Sequence, residues 1–84
     1  MKHVSPAGLD ELDELLRALR GIDGLEEKKR GVFYRRSRAF LHFHEDDSGL
    51  YADVRVDAEF DRFRVTTKAE RSRLLSLVRR TTRA

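Results

Sequence analysis

The sequence predicts an α+β domain: a four-stranded antiparallel sheet with N- and C-terminal helices packed on one face, in the order α-β-β-β-β-α. Residues 31–67 (GVFYRRSRAFLHFHEDDSGLYADVRVDAEFDRFRVTT) form four runs in which apolar residues alternate with polar or aromatic ones, the period-two signature of half-buried strands. Before them, Leu9, Leu12, Leu15, Leu16 and Leu19 follow helical spacing, and after them Leu74, Leu75, Leu77 and Val78 do the same. Two amphipathic helices flanking a two-faced sheet bury most apolar area by covering one face together.

Each element has local signals. Met1 to Val4 carry no patterning and are expected to be loose. Ser5-Pro6 starts the first helix, serine as cap and proline at the first helical position. Asp10, Glu11 and Asp13 lie in its early turns and Arg17 and Arg20 near its end, as the helix dipole favours. Gly21 and Gly24 stop it. Leu25 to Arg30 (LEEKKR) reads equally as a helical turn or as the lead-in to a strand. The strands are expected at 32–36, 39–45, 50–56 and 60–66. Thr67-Lys68-Ala69-Glu70 fits a capping box for a last helix from Lys68 to about Arg80.

Turn lengths set an expected register. With Asp46–Gly49 closing the second hairpin, Phe43 faces Ala52 and Leu41 faces Val54. With Ala58-Glu59 closing the third, Val54 faces Phe63 and Ala52 faces Val65. The core face then holds Val32, Tyr34, Leu41, Phe43, Ala52, Val54, Phe63 and Val65. The opposite face carries one row of Phe33, Phe40, Arg55 and Arg62, a second of His42, Asp53 and Arg64, and the pair His44–Tyr51. A one-residue slip would exchange the faces, so burial selects against it.

The length of 84 residues accommodates a single domain, residues 1–84. There is no cysteine, which removes disulfides and thiolate metal sites. Met1 to Leu9 hold no apolar run of signal-peptide type, and no stretch approaches the roughly 20 apolar residues of a membrane span. A soluble, cytoplasmic protein with no membrane partner is the expectation. The net charge of +3 is small for a chain that is 39% charged, which argues against a protein that coats DNA by charge alone.

The spacing of Phe33, Arg36-Ser37, Arg38 and Phe40, preceded by Leu19-Arg20-Gly21-Ile22-Asp23-Gly24, resembles the YjbR-like (MmcQ) family. Its members show a phenylalanine, a short turn, a basic residue and a phenylalanine opening the next strand. The resemblance implies the same kind of sheet. The family is often labelled DNA-binding, and it brings no pattern of catalytic residues.

Candidate chemistry concentrates on the face away from the helices. His42 and His44, two residues apart on a strand, point the same way, and Asp46 or Asp53 offers a carboxylate nearby. H-x-H alone is a weak metal signal, and the plainer expectation is a half-exposed pair with His42 against Asp53, no metal and no cofactor. A Ser37–His42–Asp53 triad lacks any sign of an oxyanion hole, so no catalytic residue is assigned and no enzymatic activity is expected. Phe33, Arg35, Phe40, Tyr51, Arg55, Arg62 and Arg64 form the candidate binding surface. Exposed rings of Phe33, Phe40 and Tyr51 would make an apolar patch suited to a homodimer or protein partner. Rings flanked by guanidiniums also suit stacked bases and phosphates, which makes nucleic acid the alternative.

Overall fold

The computed structural model describes residues 1–83. It is α+β, with three helices and one antiparallel sheet of six strands rather than four. The elements are β1 (Lys2–His3), α1 (Pro6–Glu11), α2 (Asp13–Arg20), β2 (Leu25–Lys29), β3 (Val32–Arg35), β4 (Arg38–Asp46), β5 (Gly49–Arg55), β6 (Phe60–Arg64) and α3 (Lys68–Arg83). The sheet order is β2-β3-β4-β5-β6, and β1 pairs with β4 off this path.

The two additional strands lie where the sequence offered no alternation. Leu25–Lys29 is the outer strand β2, and its exposed Glu26, Lys28 and Lys29 give the sheet a charged edge, the usual defence against edge-to-edge association. The start of the chain is not loose: Lys2 and His3 pair with Glu45 and His44. β3 covers the first part of β4, to Leu41, and β1 covers its end.

The first helix divides at Leu12 into α1 and α2. Ser5 caps α1 by accepting from the Gly8 N–H at 3.1 Å. The Ser5 N–H donates to the Glu45 carboxylate, which fastens the helix entry to β4. Thr67 and Glu70 form the capping box of α3, Glu70 N–H donating to Thr67 Oγ1 at 3.1 Å and Thr67 N–H to Glu70 Oε1 at 2.9 Å.

The helices cover one face of the sheet. Leu9, Leu12, Leu15, Leu16, Leu19, Leu74 and Val78 join Leu41, Phe43, Ala52, Val54 and Val65 in one buried cluster. Phe63 and Leu75 pack against it, partly buried. The second hairpin has the expected register, Leu41 opposite Val54 and Phe43 opposite Ala52.

Two pairings differ from expectation. In β5–β6, Ala52 faces Phe63 and Asp53 faces Arg62, a shift of two residues. The connection spans Val56 to Glu59 instead of two residues, and the pleat keeps each side chain on its own face. In β3–β4, Phe33 faces Leu41 while Tyr34 faces Ala39, so Phe40 is an extra residue in a bulge. The bulge re-aims the strand, and Phe33 and Phe40 enter the core cluster at 0% and 2% exposure. Val32 and Tyr34, expected in the core, are half-buried and line a cleft with His42.

Phe43→Ala should remove about 3–5 kcal/mol, a large part of the roughly 5–15 kcal/mol available to a small domain. A chemical denaturation midpoint close to wild type would contradict the face assignment. Thr67→Ala should cost about 0.5–2 kcal/mol through loss of the cap, measured in the same way.

Candidate functional site

The β4–β5–β6 register assembles a polar cluster on the face away from the helices. His42, Asp53 and Arg62 stand in one cross-strand row, and His44, Tyr51 and Arg64 in the next. Strand alternation brings His42 and His44 to the same side, and Asp53 lies between their ring nitrogens. Its Oδ2 is 3.5 Å from His42 Nε2 and 3.3 Å from His44 Nε2. Arg62 holds the same carboxylate with two bonds, Nε to Oδ1 at 2.7 Å and the terminal nitrogen to Oδ2 at 2.9 Å. Asp53 is the one buried charged residue among those described. Its bidentate arginine offsets the cost of burying a carboxylate.

Aromatic contacts frame the cluster. His44 stacks on His3, with ring centroids 5.2 Å apart, and meets His42 edge-on at 4.8 Å. Phe60 closes the other side of His42, edge-on at 5.0 Å. Burial holds the His42 imidazole below its usual pKa, against the opposing pull of Asp53. Arg62 holds the Asp53 carboxyl below the usual carboxylate range. Both shifts favour neutral His42 beside ionised Asp53 at neutral pH.

The remaining candidate residues separate. Phe33 and Phe40 are in the core and not on this face. Arg64 is paired with Glu70 at 2.9 Å. The Tyr51 hydroxyl bonds Ser48 Oγ, which also bonds Asp46. Arg55 lies over the Phe60 ring at 4.4 Å and donates to the carbonyls of Ala39 and Ala58. Arg35 lies over the Phe40 ring at 5.9 Å and lines a cleft with Arg36, Val56, Leu77, Arg80 and Thr81.

A second constellation appears at the end of the sheet. The β3–β4 turn consists of Arg36 and Ser37, both at positive φ (53° and 66°), between the paired Arg35 and Arg38. This is the type I′ pattern, for which Asn-Gly is the unstrained choice, and each non-glycine residue there carries a cost of about 1–2 kcal/mol. Beside it, a cleft of about 210 Å3 is lined by Arg35, Arg36, Arg38, Arg55 and Asp57 among others. Arg80 of α3 joins through the neighbouring cleft that shares Arg35 and Arg36. None of these five arginines makes an ion pair with a described residue. Arg17, Arg20, Arg30, Arg62 and Arg64 do, whereas Arg71, Arg73, Arg79 and Arg83 of α3 likewise make none with a described residue.

His3, Phe60 and Arg80 escaped the sequence reading. His3 reaches the site through a two-residue strand too short to show a period. Phe60 arrives through the two-residue shift of β6. Arg80 lies near the end of the last helix, and only the packing of α3 brings it to the end of the sheet.

Comparison with protein-family models, curated proteins and solved structures finds no match. The YjbR-like resemblance rests on the residues quoted for it. None of the described helices is long and apolar enough to cross a membrane.

Glu70 supplies a pH test of the adjoining helix start. The Thr67 N–H, and after it Arg64, lower its carboxyl from 4.5 to about 2. A lowered value in the folded state means stabilisation that is present above pH 4.5 and lost as pH falls toward 2. Glu70→Gln, which keeps a capping amide but no charge, should be less stable than wild type at pH 7. The two proteins should converge at low pH, read from urea unfolding at several pH values.

Proposed function

We propose that this chain is a non-enzymatic binding module that takes the phosphate backbone of single-stranded nucleic acid at the arginine-rich end of its sheet. The observation that carries this reading is the convergence of five arginines, none in an ion pair with a described residue, on one end of the sheet. Arg35, Arg36, Arg38, Arg55 and Arg80 converge on two adjoining clefts that contain one carboxylate, Asp57, among their lining residues. Arg35, Arg36, Arg38 and Arg80 keep their donors for phosphate oxygens, which guanidiniums bind bidentately, while Arg55 gives two of its donors to the Ala39 and Ala58 carbonyls.

The strained turn supports the same reading. Backbone strain persists where the side chains it presents are used, and here it presents Arg36 at the tip of a hairpin. Phe60, half-buried beneath Arg55, offers a ring for base stacking next to the basic cleft. The apolar homodimer, the first expectation from the sequence, is less favoured, because Phe33 and Phe40 are buried and Met1 is the only exposed large hydrophobic residue among those described.

The test is fluorescence anisotropy with a short single-stranded oligonucleotide across a salt series. Binding should weaken with salt, with a log–log slope of roughly −0.7 per phosphate neutralised. Arg36→Ala/Arg38→Ala should weaken binding and flatten the slope by about 1.4, one contact per arginine. Replacing the turn by Arg36→Asn/Ser37→Gly should raise the melting temperature while weakening binding. Absence of binding at low salt, or a slope unchanged in Arg36→Ala/Arg38→Ala, would sink the proposal.

A further inference from the structure

The polar cluster on the open face carries a second inference, independent of the arginine clefts. We propose that His42, His44 and Asp53 form a three-ligand site for a divalent first-row transition metal, with zinc as the first choice and water in the fourth position.

The geometry is the main argument. One ring nitrogen from each of His42 and His44 and a carboxylate oxygen of Asp53 all lie within 4.8 Å of one another. The two nitrogen–oxygen separations are 3.5 and 3.3 Å. These exceed the roughly 2.7–3.2 Å of a good N–H···O hydrogen bond. These two edges match a coordination tetrahedron, since ligand bonds of about 2.0–2.1 Å at the tetrahedral angle put neighbouring ligand atoms about 3.3–3.4 Å apart, and rotation of the imidazoles has to bring the donor set, which spans up to 4.8 Å, to that spacing. Two imidazoles and one carboxylate are a donor set that suits zinc and its neighbours and does not suit calcium or magnesium.

The surroundings orient the donors. His44 Nδ1 lies 3.3 Å from the Lys2 carbonyl oxygen. A proton on Nδ1 directed at that carbonyl leaves the Nε2 lone pair facing Asp53, the outer-shell arrangement typical of metal-bound histidine. Lys2 is in position because β1 pairs with the end of β4. Arg62 fixes the plane of the Asp53 carboxylate through both oxygens, although its charge counts against the cation. The side chains of His42 and His44 are 27% and 14% exposed, so an ion enters without local unfolding. The competing account is a metal-free network in which the rings simply cover the Asp53–Arg62 pair.

Zinc titration by calorimetry on the full chain, free of any affinity tag, separates the two. One zinc per chain is expected. His42→Ala/His44→Ala should lower the affinity by at least about 10–100-fold, while His3→Ala retains it. Circular dichroism checks that each variant is folded. Cobalt(II) added to the wild type needs no variant: intense visible absorption of the four-coordinate type supports the site, and a weak six-coordinate spectrum overturns it. The proposal also fails if the wild type takes up no zinc, or if His42→Ala/His44→Ala binds it as tightly as wild type. Loss of uptake on His3→Ala with His42→Ala unaffected would move the ion to the chain terminus, and the assignment would again be wrong.

Discussion

The pairing of β4 with β5 is the constraint on which the rest depends. β4 is the longest strand and has partners along both edges: β5 on one, β3 and β1 on the other. Its register with β5 is closed by a turn in which Asp46 faces Gly49 and Asp46 Oδ1 accepts from both the Ser48 N–H and the Ser48 hydroxyl. Gly49, at φ 138°, packs so closely on Thr66 that a Cβ would stand 2.2 Å from Thr66 Oγ1. Glycine is therefore required there. That one turn sends Leu41, Phe43, Ala52 and Val54 toward the helices and brings His42, His44 and Asp53 together on the other side. A slip by one residue would bury the histidines and expose the phenylalanine, so stability and the polar cluster are selected by the same register.

The parts of the fold legible in the sequence are those decided by local chemistry. The Asp46–Gly49 turn, the Ser5 cap and the Thr67–Glu70 capping box each satisfy their own backbone groups with neighbouring side chains, so their residue types announce them. The His42–Asp53 and His44–Tyr51 pairs followed from the turn alone. What was illegible depended on partners distant in sequence. LEEKKR has no apolar alternation because it is an outer strand with both flanks near solvent, and its charges serve the edge. Lys2–His3 is a strand only because β3 leaves the end of β4 unpaired. A bulge at Phe40 is invisible to a period-two pattern, since an unbulged strand of the same composition reads identically. The length of the Val56–Glu59 connection moved β6 by two residues, which exchanged Arg64 for Arg62 beside Asp53 while leaving the faces intact.

The bulge also decides what kind of surface the protein presents. A domain of 84 residues buries only about 60–65% of its unfolded surface, and aromatic rings are its largest single sources of apolar burial. With Phe33 and Phe40 on the open face, the core would have only Phe43 and part of Phe63. Drawing both rings inward enlarges the core and strips the open face of the patch that would have favoured apolar association. What the open face presents instead is charge, hydrogen-bonding groups and the half-buried rings of Phe60 and Tyr51.

Charge is then sorted along the sheet. Acidic residues neutralise the basic ones where structure needs support: Asp53 holds Arg62 across the β5–β6 ladder, and Glu70 ties Arg64 to the start of α3. In each pair the carboxylate is more buried than the arginine that holds it, and the pairs fix where the positive field is absent. At the β3–β4 turn no such neutralisation occurs, and the backbone there accepts two left-handed non-glycine residues in succession. A chain under selection for stability alone would relieve that strain with Asn-Gly at no cost to packing, since the turn is exposed. On the proposed reading, the side chains that the turn presents account for the retention of this strain. The His42–His44–Asp53 cluster is different in kind, because its groups are held by their neighbours yet leave the Nε2 atoms of both histidines beyond good hydrogen-bonding distance of Asp53. One surface is thus organised by unpaired charge and the other by unpaired lone pairs, and the β4–β5 register positions both.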